Sequence, residues 1–305
     1  MRILTGTASW TDPTLIACGR FYPPDARSAE DRLRYYATQF PITEVDSSYY
    51  ALPDPATAWL WAQRTPDDFV IDMKAFRLFT GHGAAPRALP ADIRHELKTD
   101  DGVTLYDHHL PGELRDELWR RFTYALEPLR ASGKLGTVLC QFAPWVTADR
   151  RGHARVADCV ARLEGVDTAV EFRHQSWFDG VQANATLAFE RDLGAVHVVV
   201  DSPQGAMNSV PAVWETTRDD LAVVRLHGRN EAAWNKRGLA ASSGRFIYEY
   251  SDEEADALAT QISALAKRVS ETHVLLNTNY QDQGVNNARR LGAALDQLAG
   301  ARGRP

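Results

Sequence analysis

Thr168-Ala169-Val170-Glu171-Phe172-Arg173, a helical-period segment from Ala183 to Leu193, and Val196-His197-Val198-Val199-Val200 read as strand, helix, strand. A strand that follows another across a helix pairs with it in parallel, so this stretch is a βα repeat rather than a hairpin. Working outward, further β-branched or apolar runs stand at Arg2-Ile3-Leu4, Val45, Val70-Ile71, Thr137-Val138-Leu139, Val223-Val224 and Val274 to Leu276. Helical-period segments lie between most of them: Ala29 to Phe40, Ala56 to Arg64, Pro111 to Ser132, Ala154 to Leu163, Glu253 to Ser270 and Val285 to Leu298. Eight strands alternating with helices across 305 residues predict an α/β chain folded as a TIM (β/α)8 barrel. A doubly wound open sheet is the rival, but Gly6-Thr7-Ala8-Ser9-Trp10 after the first strand offers one glycine instead of GxGxxG. The expected organisation is one domain over 1–299 and a frayed tail over 300–305.

Composition narrows the function. Hydrophobic residues at 44% and charged residues at 24% allow a full core without disulfides, which excludes disordered and fibrous classes. Cys18, Cys140 and Cys159 are too few and too scattered for a disulfide framework and form no CxxC pair, as in a reducing cytoplasm. The net charge of -6 lacks the basic excess of a non-specific phosphate-backbone binder. Met1-Arg2-Ile3-Leu4 runs into polar Thr5 and Thr7, so no secretory signal is expected, and no apolar run is long enough to span a membrane.

Two stretches exceed compact βα spacing. Gly81 to Asp107, rich in Pro, Gly, His and Asp, follows strand three; Arg229 to Tyr250, with Trp234, Lys236, Arg237 and Arg245, follows strand seven. Long loops on that face of a barrel build lids and substrate contacts.

Alternate residues of a barrel strand face the interior, which should be apolar near the bottom. At the carboxyl ends the pattern changes. Glu44 and Asp46 share a face on strand two, Lys74 ends strand three and Gln141 ends strand four. Glu171 and Arg173 share a face on strand five, Arg225 and His227 on strand seven, and Asn277 and Asn279 end strand eight. Desolvating unpaired charge costs several kcal/mol per ion, so these groups imply either a polar pocket or a self-contained ion-pair lattice. Lys74, Arg173 and Arg225 converge from three strands and suit an anionic group, which Arg binds in bidentate fashion. A carboxylate among cations stays ionised and can act as a base, and His227 titrates near neutrality when unperturbed.

For a metal, His174, His227, Glu171 and Asp201 are the ligands that could meet. Arg173, Arg225 and Arg229 beside them repel a divalent cation, so no tightly held metal is expected. His95, His153 and His197 look structural, and the adjacent His108-His109 pair does not converge on one ion as i, i+4 ligands do. Trp10, Tyr49-Tyr50, Trp145 and Trp177 follow strands one, two, four and five, where rings stack on sugars or bases or anchor loops. Trp59, Trp61 and Trp119 lie in helical segments. No GxSxG elbow, histidine-paired cysteine or Walker loop is present, which argues against acyl transfer and leaves no cofactor implied.

Taken together, the strings resemble a known family. Gly6-Thr7-Ala8-Ser9-Trp10, Gly19-Arg20-Phe21-Tyr22-Pro23 and Glu44-Val45-Asp46-Ser47-Ser48-Tyr49-Tyr50-Ala51-Leu52-Pro53 resemble the opening of the YecE-like family, also called domain of unknown function 72. Lys74 with Thr80 and His82, Gln141-Phe142-Ala143-Pro144, Val170-Glu171-Phe172-Arg173-His174 with Ser176-Trp177, Val224-Arg225-Leu226-His227-Gly228-Arg229, and Asn277 with Asn287-Ala288 continue it in order. The resemblance implies a TIM barrel and no reaction. Departures are Asn277-Thr278 in place of paired asparagines, Asn279 in place of a following histidine, and Gly81 splitting a Thr-His pair ahead of a longer insertion.

The leading expectation is a cytoplasmic, metal-independent enzyme for a small anionic substrate, a phosphorylated sugar or nucleotide-like molecule. Lys74, Arg173, Arg225 and Arg229 would bind the anion. Glu171 with Asp46 would do acid-base work, with His227 as a further catalytic group. Asn277 would orient the substrate beside Gln141, Trp10, Tyr50 and Trp177. The alternatives are a nucleic-acid-binding or repair-associated protein using the basic, aromatic loop after strand seven, and a non-catalytic metabolite-binding barrel. Oligomeric state is not legible.

Overall fold

The apolar runs form eight parallel strands: β1 Arg2–Thr7, β2 Ile42–Val45, β3 Val70–Lys74, β4 Leu135–Gln141, β5 Thr168–Glu171, β6 Val196–Asp201, β7 Leu221–Leu226 and β8 Glu271–Leu276. In this computed structural model, which describes residues 1–100, 102–205, 208–236 and 242–302, each strand pairs with the next. β8 returns to β1 with Arg2 opposite Glu271 through Thr7 opposite Leu276, closing the barrel. Every residue of β6 and β7 is buried, as strands covered on both faces must be, which explains runs such as Val198-Val199-Val200.

Helices Ala29–Gln39, Pro55–Gln63, Gly112–Ala131, Arg150–Arg162, Gln182–Asp192, Asp252–Ala266 and Gln283–Arg302 accompany the strands. The fourth begins four residues before the expected Ala154, because the Asp149 carboxylate accepts from the N–H groups of Arg151 and Gly152 and caps the first turn. The last continues to Arg302, past the point where a frayed tail was expected. Between β6 and β7 the described residues form no helix. Described residues of the excursion after β3 carry regular structure: Ala84 and Leu105 exchange two backbone hydrogen bonds of 2.8 Å, and Ala91–Leu97 is helical. Arg155 then clamps Asp107 at 2.9 and 3.1 Å.

The main core lies between barrel and helices, while Leu4, Ile42 and Leu275, with Val70 against them, form a separate cluster. By alternation these share faces with Gly6, Glu44, Asp72 and Asn277, so the cluster is an apolar plug inside the barrel. The expectation of a wholly apolar lower interior fails at one place. Asp72 and His273, both buried, face each other at 3.0 Å, two or more residues below the strand ends that carry Lys74 and Asn277. The buried polar atoms are satisfied: Asp72 also accepts from the Thr137 N–H at 2.7 Å, and the other His273 nitrogen meets Glu271 at 2.9 Å. Gly136 makes the room, since a Cβ there would come within 2.2 Å of Asp72 Oδ1.

Candidate functional site

At the carboxyl ends of the strands a cavity of about 550 Å³ opens to solvent. Its floor and walls bring together Asp46, Lys74, Gln141, Arg173 and Asn277, and its sides carry Tyr50, Trp145, Trp234 and Arg245. They come from the ends of, or the loops after, six strands, β2, β3, β4, β5, β7 and β8, so the barrel's closure, not any local motif, creates the site.

Beneath the cavity is a layer of charge cut off from water. Arg225 is fully buried and donates from Nε and Nη2 to Glu44, at 2.9 and 2.7 Å. Its Nη1 donates to Glu171, which also accepts from Gln141 at 2.7 Å and from Arg173 at 3.1 Å. His227 Nε2 lies 3.1 Å from the same carboxylate, and its Nδ1 receives the Asn277 amide at 2.8 Å. That pair of contacts assigns His227 as a neutral Nε2–H imidazole. Burial is the leading cause of its low pKa of about 3, against the opposing pull of Glu171. Burial also pushes Glu171 up, but Arg225, His227 and Arg173 outweigh it and hold the carboxyl well below the usual range. Burial raises Glu44 to about 7 against the pull of Arg225.

This layer changes what several of the expected site residues can do. Glu171, His227 and Arg225 lie under the cavity surface and do not line it. Glu171 takes three donors on Oε1 and Arg225 on Oε2, and being fully buried beneath the cavity it is out of reach of a substrate proton. Asn277 lines the cavity, yet one of its two amide N–H groups is directed at His227 and its oxygen accepts from Asn279 at 3.0 Å, so it orients His227. Arg229 lies outside the cavity, clamped by Asp201 at 2.8 Å and Glu254 at 2.9 Å.

Two aromatic expectations are corrected. Trp10 is buried edge-on against Trp61 in the core. Trp177 is fully buried, stacked on Phe172 at 4.0 Å, with its Nε1–H donated to Val146 O at 2.8 Å. Both follow strand ends, but the chain turns their rings inward, where a large apolar surface gains most from burial. In the loop after β7, Trp234 is buried under the Arg173 guanidinium at 4.9 Å, Arg245 lines the cavity, and Arg237 lies outside the described residues.

Lys74 and Asp46 remain in contact with the cavity. Lys74 Nζ donates to Asp46 Oδ1 at 2.7 Å and sits 4.6 Å over the Tyr49 ring. Burial works against its charge, but Asp46 outweighs it and the pKa is raised. His82, beside Thr80 at 3.1 Å, is neutral with a pKa of about 3, lowered first by burial and then by Lys74 and Arg77. Composition and spacing did not single out Ser9, Thr11, Asp12, Asn208 and Phe246, which line the cavity from loops with no strand-period signal. Among the described residues, no group of three or more His, Cys, Asp or Glu side chains is placed to hold a metal ion, and no helix is long and apolar enough to cross a membrane.

Comparison with known proteins gives the same family from sequence and from shape. The UPF0759 protein YunF of Bacillus subtilis (strain 168) is 29% identical over 296 residues, covering 96% of this chain and 95% of that protein. A solved DUF72 family protein from Thermotoga maritima MSB8 superposes with a TM-score of 0.73 at 27% identity, covering 97% and 100% of the two chains. One from Enterococcus faecalis V583 superposes with a TM-score of 0.77 at 23% identity, covering 96% and 95%. The family described as "Protein of unknown function DUF72" matches residues 4–304, and the chain belongs to it.

Proposed function

We propose that the cavity binds a small anionic molecule, a phosphorylated sugar or nucleotide-like compound, and that the protein is an enzyme performing metal-independent proton-transfer chemistry on it. The observation that carries this reading is Lys74. It is 6% exposed, lines the cavity, and uses one of its three N–H donors within the described residues. A buried ammonium with open donors is stabilised by an anion that fills them. Arg173 lines the same cavity with only Nη1 engaged by a carboxylate, and Trp234 Nε1–H, buried in the wall, has no acceptor among the described residues. These cations supply the charge neutralisation that a divalent ion supplies elsewhere.

Asp46 takes the acid-base role in this scheme, because its Oδ2 has no partner among the described residues and its side chain opens on the cavity. Glu171 becomes a positioning residue that fixes Arg173, Gln141 and His227.

A thermal-shift series with inorganic phosphate, ribose 5-phosphate and glucose 6-phosphate tests the anion site, since a ligand at 100 times its dissociation constant stabilises by about 2.7 kcal/mol. Wild type should be stabilised by at least one of them and Lys74→Ala by none. Equal responses in the two proteins would end the reading. Mass spectrometry of the ligand after long incubation then separates an enzyme from a binding barrel, because a binder returns it unchanged.

A further inference from the structure

We infer that the rim of the cavity is built to hold a planar aromatic ring, so that the anion at the floor is the phosphate of a nucleoside monophosphate. The inference rests on the anion-site reading and adds a second subsite to it.

Trp145 carries the argument. It is 56% exposed and lines the cavity, yet it is fixed: its Nε1–H donates to Gly81 O at 3.1 Å. The loops after β3 and β4 are joined beneath it by Ala143 N–H to Thr80 O at 3.0 Å, and Val146 N–H to Ala143 O at 2.8 Å closes the turn that bears it. Gly81 has φ +88°, a left-handed conformation that side chains disfavour, and a Cβ there would press on Val146 at 3.1 Å. The glycine that splits Thr80 from His82 therefore supplies the carbonyl that ties down the indole. An exposed ring already held in one orientation loses little conformational entropy when a second ring stacks on it.

The rest of the rim fits the same ligand. Tyr50, 48% exposed, begins a series of rings that continues through Tyr49 and His82 to Trp145, with centroids 5.0, 5.3 and 5.7 Å apart. Lys74 lies over the second of these rings, so the series leads from the cation at the floor to the exposed indole at the rim. In an eight-stranded ring β8 stands opposite β4, which sets Asn277 and Asn279 across from Trp145. Asn279 spends an N–H on Asn277, and its side-chain oxygen has no partner among the described residues. A carboxamide reads the donor and acceptor edge of a base, while an aromatic face covers its plane. A sugar phosphate offers neither feature.

Calorimetric titration with the four ribonucleoside 5′-monophosphates and with ribose 5-phosphate distinguishes the two subsites. In wild type at least one nucleotide should bind about tenfold more tightly than ribose 5-phosphate, the gain typical of one stacked base. Trp145→Ala should remove that advantage and Trp145→Phe should restore most of it, while Lys74→Ala should weaken nucleotides and ribose 5-phosphate alike. If ribose 5-phosphate binds wild type as tightly as every nucleotide, the ring subsite is rejected and the anion site stands. An advantage that survives Trp145→Ala also rejects it, because the base would then lie elsewhere. Failure of all five compounds to bind overturns this inference, and with inorganic phosphate and glucose 6-phosphate also inert it overturns the anion site too.

Discussion

Arg225 and Glu44 are joined by two hydrogen bonds, at 2.9 and 2.7 Å, with neither side chain exposed, although they stand 181 positions apart in the chain. One strand end thus neutralises another across the barrel, and Arg225 reaches on to Glu171 as well. The guanidinium binds two carboxylates below the cavity, while Lys74 and Arg173 line the cavity above it.

Arg225→Ala leaves Glu44 and Glu171 buried without their shared cation, and should cost about 3–5 kcal/mol in denaturant melts. Arg225→Lys keeps the charge but cannot reproduce the planar fork, so it should recover less than half of the loss. Full recovery by lysine would mean that charge alone, and not bidentate geometry, holds the layer together.

The second expectation follows from Glu171, whose carboxyl the neighbouring arginines hold well below the ordinary glutamate value. A depressed acid contributes stability above its unfolded pKa, and the contribution disappears as pH falls through the folded value. Glu171→Gln, which leaves Arg173 and Arg225 facing each other, should be much less stable than wild type at pH 7. The gap should narrow as pH drops from about 5 to 3. A gap of constant size over that range would show that Glu171 does not feel the arginines.

His273 gives the opposite slope at higher pH. Burial alone would lower its pKa, but Asp72 and Glu271 outweigh burial and raise it to about 9. A raised base contributes fully below its unfolded pKa near 6.5 and loses that contribution as pH rises through the folded value, here by up to about 3 kcal/mol. Wild type should therefore lose stability between pH 6.5 and 9, and His273→Gln, weaker at the outset, should show a flat profile there. Chemical denaturation at a series of pH values measures both.

Aromatic substitutions should separate packing from ligand contact. Trp177→Ala empties a fully buried site and breaks the bond to Val146, so a loss of about 3–5 kcal/mol is expected. Tyr50→Ala, at a half-exposed position, should stay within about 0.5 kcal/mol of wild type. A severe melt for Tyr50→Ala would show that the Tyr50 ring supports the fold.

Strand and helix periods alone were enough to read the barrel, because a strand covered on both faces must be a short apolar run and a helix covered on one must repeat near 3.6 residues. The polar strand ends were equally legible, since Lys74, Glu171 and Arg225 interrupt those runs at the positions where alternation points inward. The direction of the Trp10 and Trp177 rings was not, because both positions follow a strand and only packing decides whether a ring turns to the core or the mouth. Asp72 and His273 were missed for a related reason. Each looks like an isolated polar residue in its own strand, and they become a pair only when closure of the barrel brings the inner faces of β3 and β8 together. The sequence by itself thus determined the family, the fold and the inventory of charge at the strand ends. Tertiary structure alone decided which charges neutralise one another and which keep open donors, because that depends on distances across 54 or 181 residues of chain that no local period records.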